Sequence, residues 1–210
     1  MRVLSWFLLL SIISLITGCR DKDRAEEVKT PNVGIHSAIL MGDIEAVQQH
    51  IDAGTDINED EWTHGSSPLI TAAALGETEI AELLINNGAD INFRNDEGST
   101  PLIAAAAFSH TDIAQLLIVS SADVDMVNND GSTALIIASL FSNINLVKSL
   151  LDNGANKYIE NKFGRSAISI AESPFEESIE ILKKLEEGFP IKLDYEKIKQ
   201  NRPIIAEMLK

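Results

Sequence analysis

Few residues in this chain have the type and spacing needed for chemistry. The four histidines, His36, His50, His64 and His110, are scattered, and the single cysteine, Cys19, has no second thiol for an internal disulfide. The stretch DINEDEWTHGSS (residues 56–67) opens like a calcium loop. It then places Glu61 where the sharp turn needs glycine and Ser67 where a bidentate glutamate should close the cage. No H-E-x-x-H, cysteine pair, G-x-S-x-G or phosphate-cradling glycine loop occurs. The expectation is a chain that is not an enzyme, with no catalytic residue, no metal site and no cofactor.

Carboxylates are the remaining chemical resource. The formal net charge is −15, and residues 33 to 161 hold 19 acids against three bases, Arg94, Lys148 and Lys157. The flanking segments balance, with four against four in residues 20–31 and nine against nine in residues 162–210. An acidic surface of this kind repels nucleic acid and anionic headgroups and speeds the approach of a basic protein partner. Glu59, Asp60, Glu61, Asp96, Glu97 and Asp130 stand out because they cluster just ahead of a recurring phrase.

That phrase is Gly65-Ser66-Ser67-Pro68-Leu69, Gly98-Ser99-Thr100-Pro101-Leu102, Gly131-Ser132-Thr133-Ala134-Leu135 and Gly164-Arg165-Ser166-Ala167-Ile168, each copy 33 residues after the last. A fixed period of this length marks a repeat array. The hydroxyls Ser67, Thr100, Thr133 and Ser166 are placed to accept from free amides at a helix start, with Pro68 and Pro101 at the first helical position. Seven residues after each glycine stand Ala72, Ala105, Ala138 and Ala171, and a divergent earlier copy adds Ala38. Only small residues there let neighbouring helices approach to about 8 to 10 Å. Gly54, Gly88 and Gly154 suit helix stops that need a left-handed residue. Ser121 stands in that place in the third unit, and Ser109 and Ser142 stand where the first helix should end on glycine, so local stability is lost.

With Thr100-Pro101-Leu102 intact and second halves such as LLINNGADIN (residues 83–92), the chain resembles the ankyrin-repeat family. The resemblance implies an all-α solenoid of about five helix-turn-helix units over residues 33–188, the last of them a charged cap. Residues 189–210 read as a helical extension, a short helix or a pair broken by Pro203. Asp56, Asp90 and Asp123 match the aspartate that bonds within its own loop, and His36 and His110 fall on consensus positions, so these are read as structural. The acidic residues fall at turn tips, which in this family point into the groove used for protein partners.

A second set is apolar. Leu75, Phe108 and Phe141 each stand ten residues after the turn glycine of their unit, with Leu140 beside the last. With Trp62, they are taken as the apolar centre of a partner site whose rim is the carboxylates; packing against the next repeat is the alternative.

The N-terminus suggests an address. Residues 1–18 carry Arg2, then the apolar run from Val3 to Ile16, too short for a span of about 20 apolar residues and laid out as a signal peptide. The run ends in LITGC, which looks like a bacterial lipobox, making Cys19 the lipidated first residue of the mature chain and residues 19–32 a solvated tether. Arg20 rather than aspartate after the cysteine favours the outer membrane, facing the periplasm, in a Gram-negative host. Address and family together lead to the expectation of an immunity protein that binds and neutralises a secreted antibacterial effector, for example a lipase. A scaffold or stabiliser of a resident periplasmic enzyme is the alternative.

Overall fold

The computed structural model describes residues 31–61, 63–188 and 192–210. Cys19, the signal segment, nearly all of the tether and Trp62 lie outside the described residues. The described helices are α1 (Ile35–Leu40), α2 (Ile44–Asp52), α3 (Pro68–Leu75), α4 (Thr78–Asn86), α5 (Pro101–Ala107), α6 (Thr111–Val119), α7 (Ala134–Leu140), α8 (Ile144–Asp152), α9 (Ala167–Glu172), α10 (Phe175–Gly188) and α11 (Tyr195–Met208). Among them no helix is long and apolar enough to cross a membrane.

The helix starts are those the hydroxyls dictate. Ser67 accepts from the Ile70 amide (3.3 Å), Thr100 from Ile103 (3.2 Å) and Thr133 from Ile136 (3.2 Å). Ser166 and Ser169 satisfy each other's backbone amides in a reciprocal box. Each inner helix then stacks on the next, α1 on α3, α3 on α5, α5 on α7 and α7 on α9, while α2, α4, α6 and α8 form the outer layer. The small residues are the seam: Ala38, Ala72, Ala105 and Ala138 are 0% exposed. No unit could bury that face alone, so stability is shared between neighbours.

The serine stops adopt the conformation that glycine would take more cheaply. Among the described residues, Ser109 (φ 59), Ser121 (φ 72) and Ser142 (φ 53) are the left-handed residues that are not glycine. A left-handed backbone brings Cβ against the following carbonyl, which costs an L-residue about 1 to 2 kcal/mol.

The end of the solenoid departs from the expected division at residue 188. Helix α11 packs on both α8 and α9, the pair of contacts that an outer helix makes with its own inner helix and the preceding outer one. Asn201 donates to the Ser142 carbonyl before α8 begins (3.1 Å), and Lys157 donates to the Lys210 carbonyl after α8 ends (2.8 Å). The two helices therefore run side by side in one direction. Ile205 and Leu209, both 0% exposed, join the repeats' core, so the tail is a working part of the solenoid. Nor does Pro203 break the helix: it lies within α11 on the exposed side, where the carbonyl left without an amide partner faces water. Arg202, 4% exposed, points the other way and donates to the Ile170 and Ser173 carbonyls at the end of α9, as well as to Ser178 Oγ (3.0 Å). A cation there also suits the negative end of the helix dipole. Burial pulls this guanidinium down from its ordinary pKa, with Glu177 and Glu176 opposing. Tyr195 donates to Glu186 (2.6 Å), tying α11 back to α10.

Candidate protein-binding surface

Short polar side chains build the inter-repeat tips. Asp56 accepts from the Asn58 amide (2.9 Å), Asp90 from Asn92 (2.9 Å) and Asp123 from Asp125 (3.0 Å), each closing its own loop as the sequence implied. The second residue of each pair then reaches the next repeat. Asn58 accepts from the Asp90 amide (2.7 Å), Asn92 from Asp123 (3.0 Å) and Asp125 from Asn156 (2.7 Å). One ladder of side-chain acceptors thus runs across successive units and fixes their spacing.

A second row joins the tips themselves. The Asp96 amide donates to the His64 carbonyl (3.0 Å), Asn129 to Glu97 (2.8 Å) and Lys162 to Asp130 (2.8 Å). Asn129 Nδ2 adds a bond to the Asp96 carbonyl (2.7 Å). Glu59 and Asp60, ahead of this row, are exposed, and so are Asp96, Glu97 and Asp130, whose backbone makes these bonds. Their carboxylates are held in register on a stiff row without being consumed by it.

Glu61 differs. Its carboxylate accepts from the Thr63 hydroxyl, the Thr63 amide (2.9 Å) and the His64 amide (2.6 Å). The Thr63 hydroxyl, followed by the backbone amides, holds its carboxyl down at about pH 2. Glu61 shapes its tip, and that use competes with meeting a partner.

The apolar set is found at the other end of the inner helices. Leu75 is the last residue of α3, Phe108 caps α5 and Phe141 caps α7, whereas the acidic tips precede the same helices. A seven-residue helix such as α5 separates the two sets by roughly 10 Å at 1.5 Å per residue. The carboxylates thus stand towards one end of the inner helices and the apolar residues towards the other. Leu75 is 43% exposed. Phe108 is half-buried and stacks on His110 with ring centroids 6.4 Å apart. Phe141, also half-buried, lines a cleft of about 580 Å³ shared with Lys192, Lys197 and Asn201. Leu140 packs against the core.

Sequence reasoning missed the most exposed members of this edge. Leu40 (65%) and Met41 (64%) end the inner helix of the first unit, and Ile44 (42%) begins its outer helix. Counting three residues on from Ala38, as Phe108 follows Ala105, reaches Met41, so the register contained the signal.

The histidines are tied to the frame. His36 donates from Nε2 to the Glu59 carbonyl (3.1 Å), His50 to Val33 (2.8 Å) and His110 to Ala74 (3.2 Å). A Cβ on Gly76 would come within 2.7 Å of the His110 ring, so this turn needs glycine for space as well as for its φ of 84°. His64 is exposed beside Thr63 and Glu61. Among the described residues no group of three or more His, Cys, Asp or Glu is placed to hold a metal ion.

Comparison with known proteins agrees with this architecture. Residues 35–128 and 110–193 match the family model for ankyrin repeats in three copies. Over 53 residues the chain is 42% identical to a 2-5A-dependent ribonuclease of Mus musculus, covering 25% of this chain and 7% of that protein. Over 63 residues it is 38% identical to the protein phosphatase 1 regulatory subunit 27 of Mus musculus, covering 30% and 40%. A third similarity, 33% over 60 residues, is to the ankyrin repeat, SAM and basic leucine zipper domain-containing protein 1 of Eulemur macaco macaco, covering 29% and 12%. The matched stretches span less than half of these relatives' lengths. With the repeat model matching most of its residues and the stacked units in place, the chain belongs to the ankyrin-repeat family and carries a protein–protein interaction module.

Proposed function

We propose that this chain is a non-catalytic binding module of the bacterial cell envelope, anchored through Cys19 and facing the periplasm, that captures a basic protein. The partner we favour is a secreted antibacterial effector, for example a lipase, which the complex would neutralise. The carrying observation is the row of exposed carboxylates Asp96, Glu97 and Asp130, set on a backbone hydrogen-bonded from tip to tip, with Glu59 and Asp60 exposed beside it; such a preset geometry lowers the ordering cost of binding. The lipobox-like LITGC supports the anchor. A second reading, a scaffold or stabiliser of a resident periplasmic enzyme, is favoured by the similarity to a protein named as a phosphatase regulatory subunit.

The test is protection. If the neighbouring gene encodes a secreted effector, cells producing both proteins should survive, and Cys19→Ser should move the protein out of the membrane fraction and reduce survival, because the tether has no other bilayer affinity. Cells that die as fast with the wild-type chain as without it would refute the immunity reading. Retention of Cys19→Ser in carbonate-washed membranes would refute the anchor.

A further inference from the structure

The turn edge of the first two units combines two properties found together nowhere else among the described residues. Four of the exposed large apolar side chains, Leu40, Met41, Ile44 and Leu75, lie there, while Val33 precedes α1 at the tip end and Val119, Tyr158, Phe163 and Ile204 are spread over the later units and the tail. Over the same stretch, residues 33 to 93, the sequence has eleven Asp and Glu and no Lys or Arg.

Three of these acids, Glu45, Glu77 and Glu79, stand at the turns that carry the apolar residues. A Cβ built on Gly42, next to Met41, would stand 3.5 Å from Glu77 Oε1, so the carboxylate of the second unit lies against the turn of the first. Glu45 and Glu79, in the first turns of α2 and α4, are exposed. Farther along, the same edge changes character. Phe108 and Phe141 are half-buried, and Lys192 and Lys197 border the cleft beside Phe141.

We infer that the edge formed by Leu40, Met41, Ile44 and Leu75, with Glu77 and its acidic neighbours, is a docking surface for an amphipathic segment that presents apolar side chains flanked by lysine or arginine. Charge decides the occupant. An acidic segment would meet like charge from Glu45, Glu77 and Glu79 beside these four residues and a neutral one would gain no pairing there, whereas a basic one pairs with them as its apolar side chains leave water. The proposal rests on the basic-partner reading and adds to it a place and a division of labour. Exposed tip carboxylates steer the encounter and set the association rate; the apolar edge holds the partner and sets the dissociation rate.

The experiment uses a labelled amphipathic helix of leucine and lysine, with a leucine and glutamate helix of the same pattern as control, and stopped-flow kinetics on the chain. Met41→Ser and Leu40→Ser, at positions too exposed to endanger the fold, should each raise the dissociation rate about thirtyfold and leave association unchanged, the lower end of the interface hot-spot range. Thermal melts of both variants should overlay the wild type. Lysine preference retained with dissociation unmoved by either variant would overturn the edge and leave the basic-partner reading standing. Equal binding of the glutamate helix would overturn both. Concentration-dependent dimerisation abolished by the same substitutions would assign the edge to a second copy of the chain and also overturn the proposal.

Discussion

Converting Glu59, Asp60, Asp96 and Glu97 to their amides removes four exposed charges while keeping every backbone bond of the tip row, so it isolates electrostatic steering from folding. At about 10 Å in water, one unit charge attracts another by roughly 0.7 RT before screening. With a screening length of about 30 Å at 10 mM salt this becomes roughly 0.5 RT, and with about 8 Å at 150 mM roughly 0.2 RT. Four such charges acting on one approaching cation total about 2 RT and 0.8 RT, which predicts association slowed about sevenfold at 10 mM and about twofold at 150 mM. The assay is stopped-flow association with the basic helix across that salt range, with the melting temperature as a control. A quadruple variant with wild-type association at 10 mM would refute steering by the tips and leave those carboxylates a solvation role. A variant that associates slowly by the same factor at every salt concentration would point instead to a direct contact.

Two further outcomes follow from the geometry. The Glu61 carboxyl, lowered to about 2 in the folded chain, contributes stability that is present above its unfolded value and is lost as pH falls towards 2; amide exchange at Thr63 and His64, corrected for intrinsic rates, should therefore accelerate over that acid window, and Glu61→Gln should make exchange there fast at neutral pH too. Ser121→Gly, at an exposed left-handed stop, should remove a cost of about 1 to 2 kcal/mol, offset by about 0.5 to 1 of unfolded-chain entropy, and raise the melting temperature by roughly 2 to 4 °C; a lower melting temperature would mean that the serine makes a compensating interaction.

The local chemistry of each repeat was legible because it is local. Ser67, Thr100 and Thr133 cap helices that begin one residue later, Ala72 and Ala105 sit on a seam that admits only methyl groups, and Asp90 closes a loop on Asn92. Each depends on neighbours within a few positions or on an exact repeat of them. What the sequence concealed depends on placement between distant segments. Nothing in the spacing of Ile198, Arg202, Ile205 and Leu209 says that they will face α8 and α9, and Pro203 argues locally for a break that solvent exposure makes unnecessary. The distance between the acidic and the apolar residues was hidden for a similar reason. Glu97 and Phe108 look close in sequence, yet the whole inner helix Pro101–Ala107 stands between them. Glu61 is acidic like its neighbours, and only the folded tip shows three donors converging on it.

Hydrogen exchange of the whole chain with and without a bound basic partner tests the central claim most directly. The account predicts slowed exchange along the tips, residues 57–61, 95–98 and 128–131, and along the turn edge, residues 40–45 and 75–78, with the outer faces of α4 and α6 unchanged. Protection confined to those outer helices, with tips and edge exchanging as in the free chain, would contradict it.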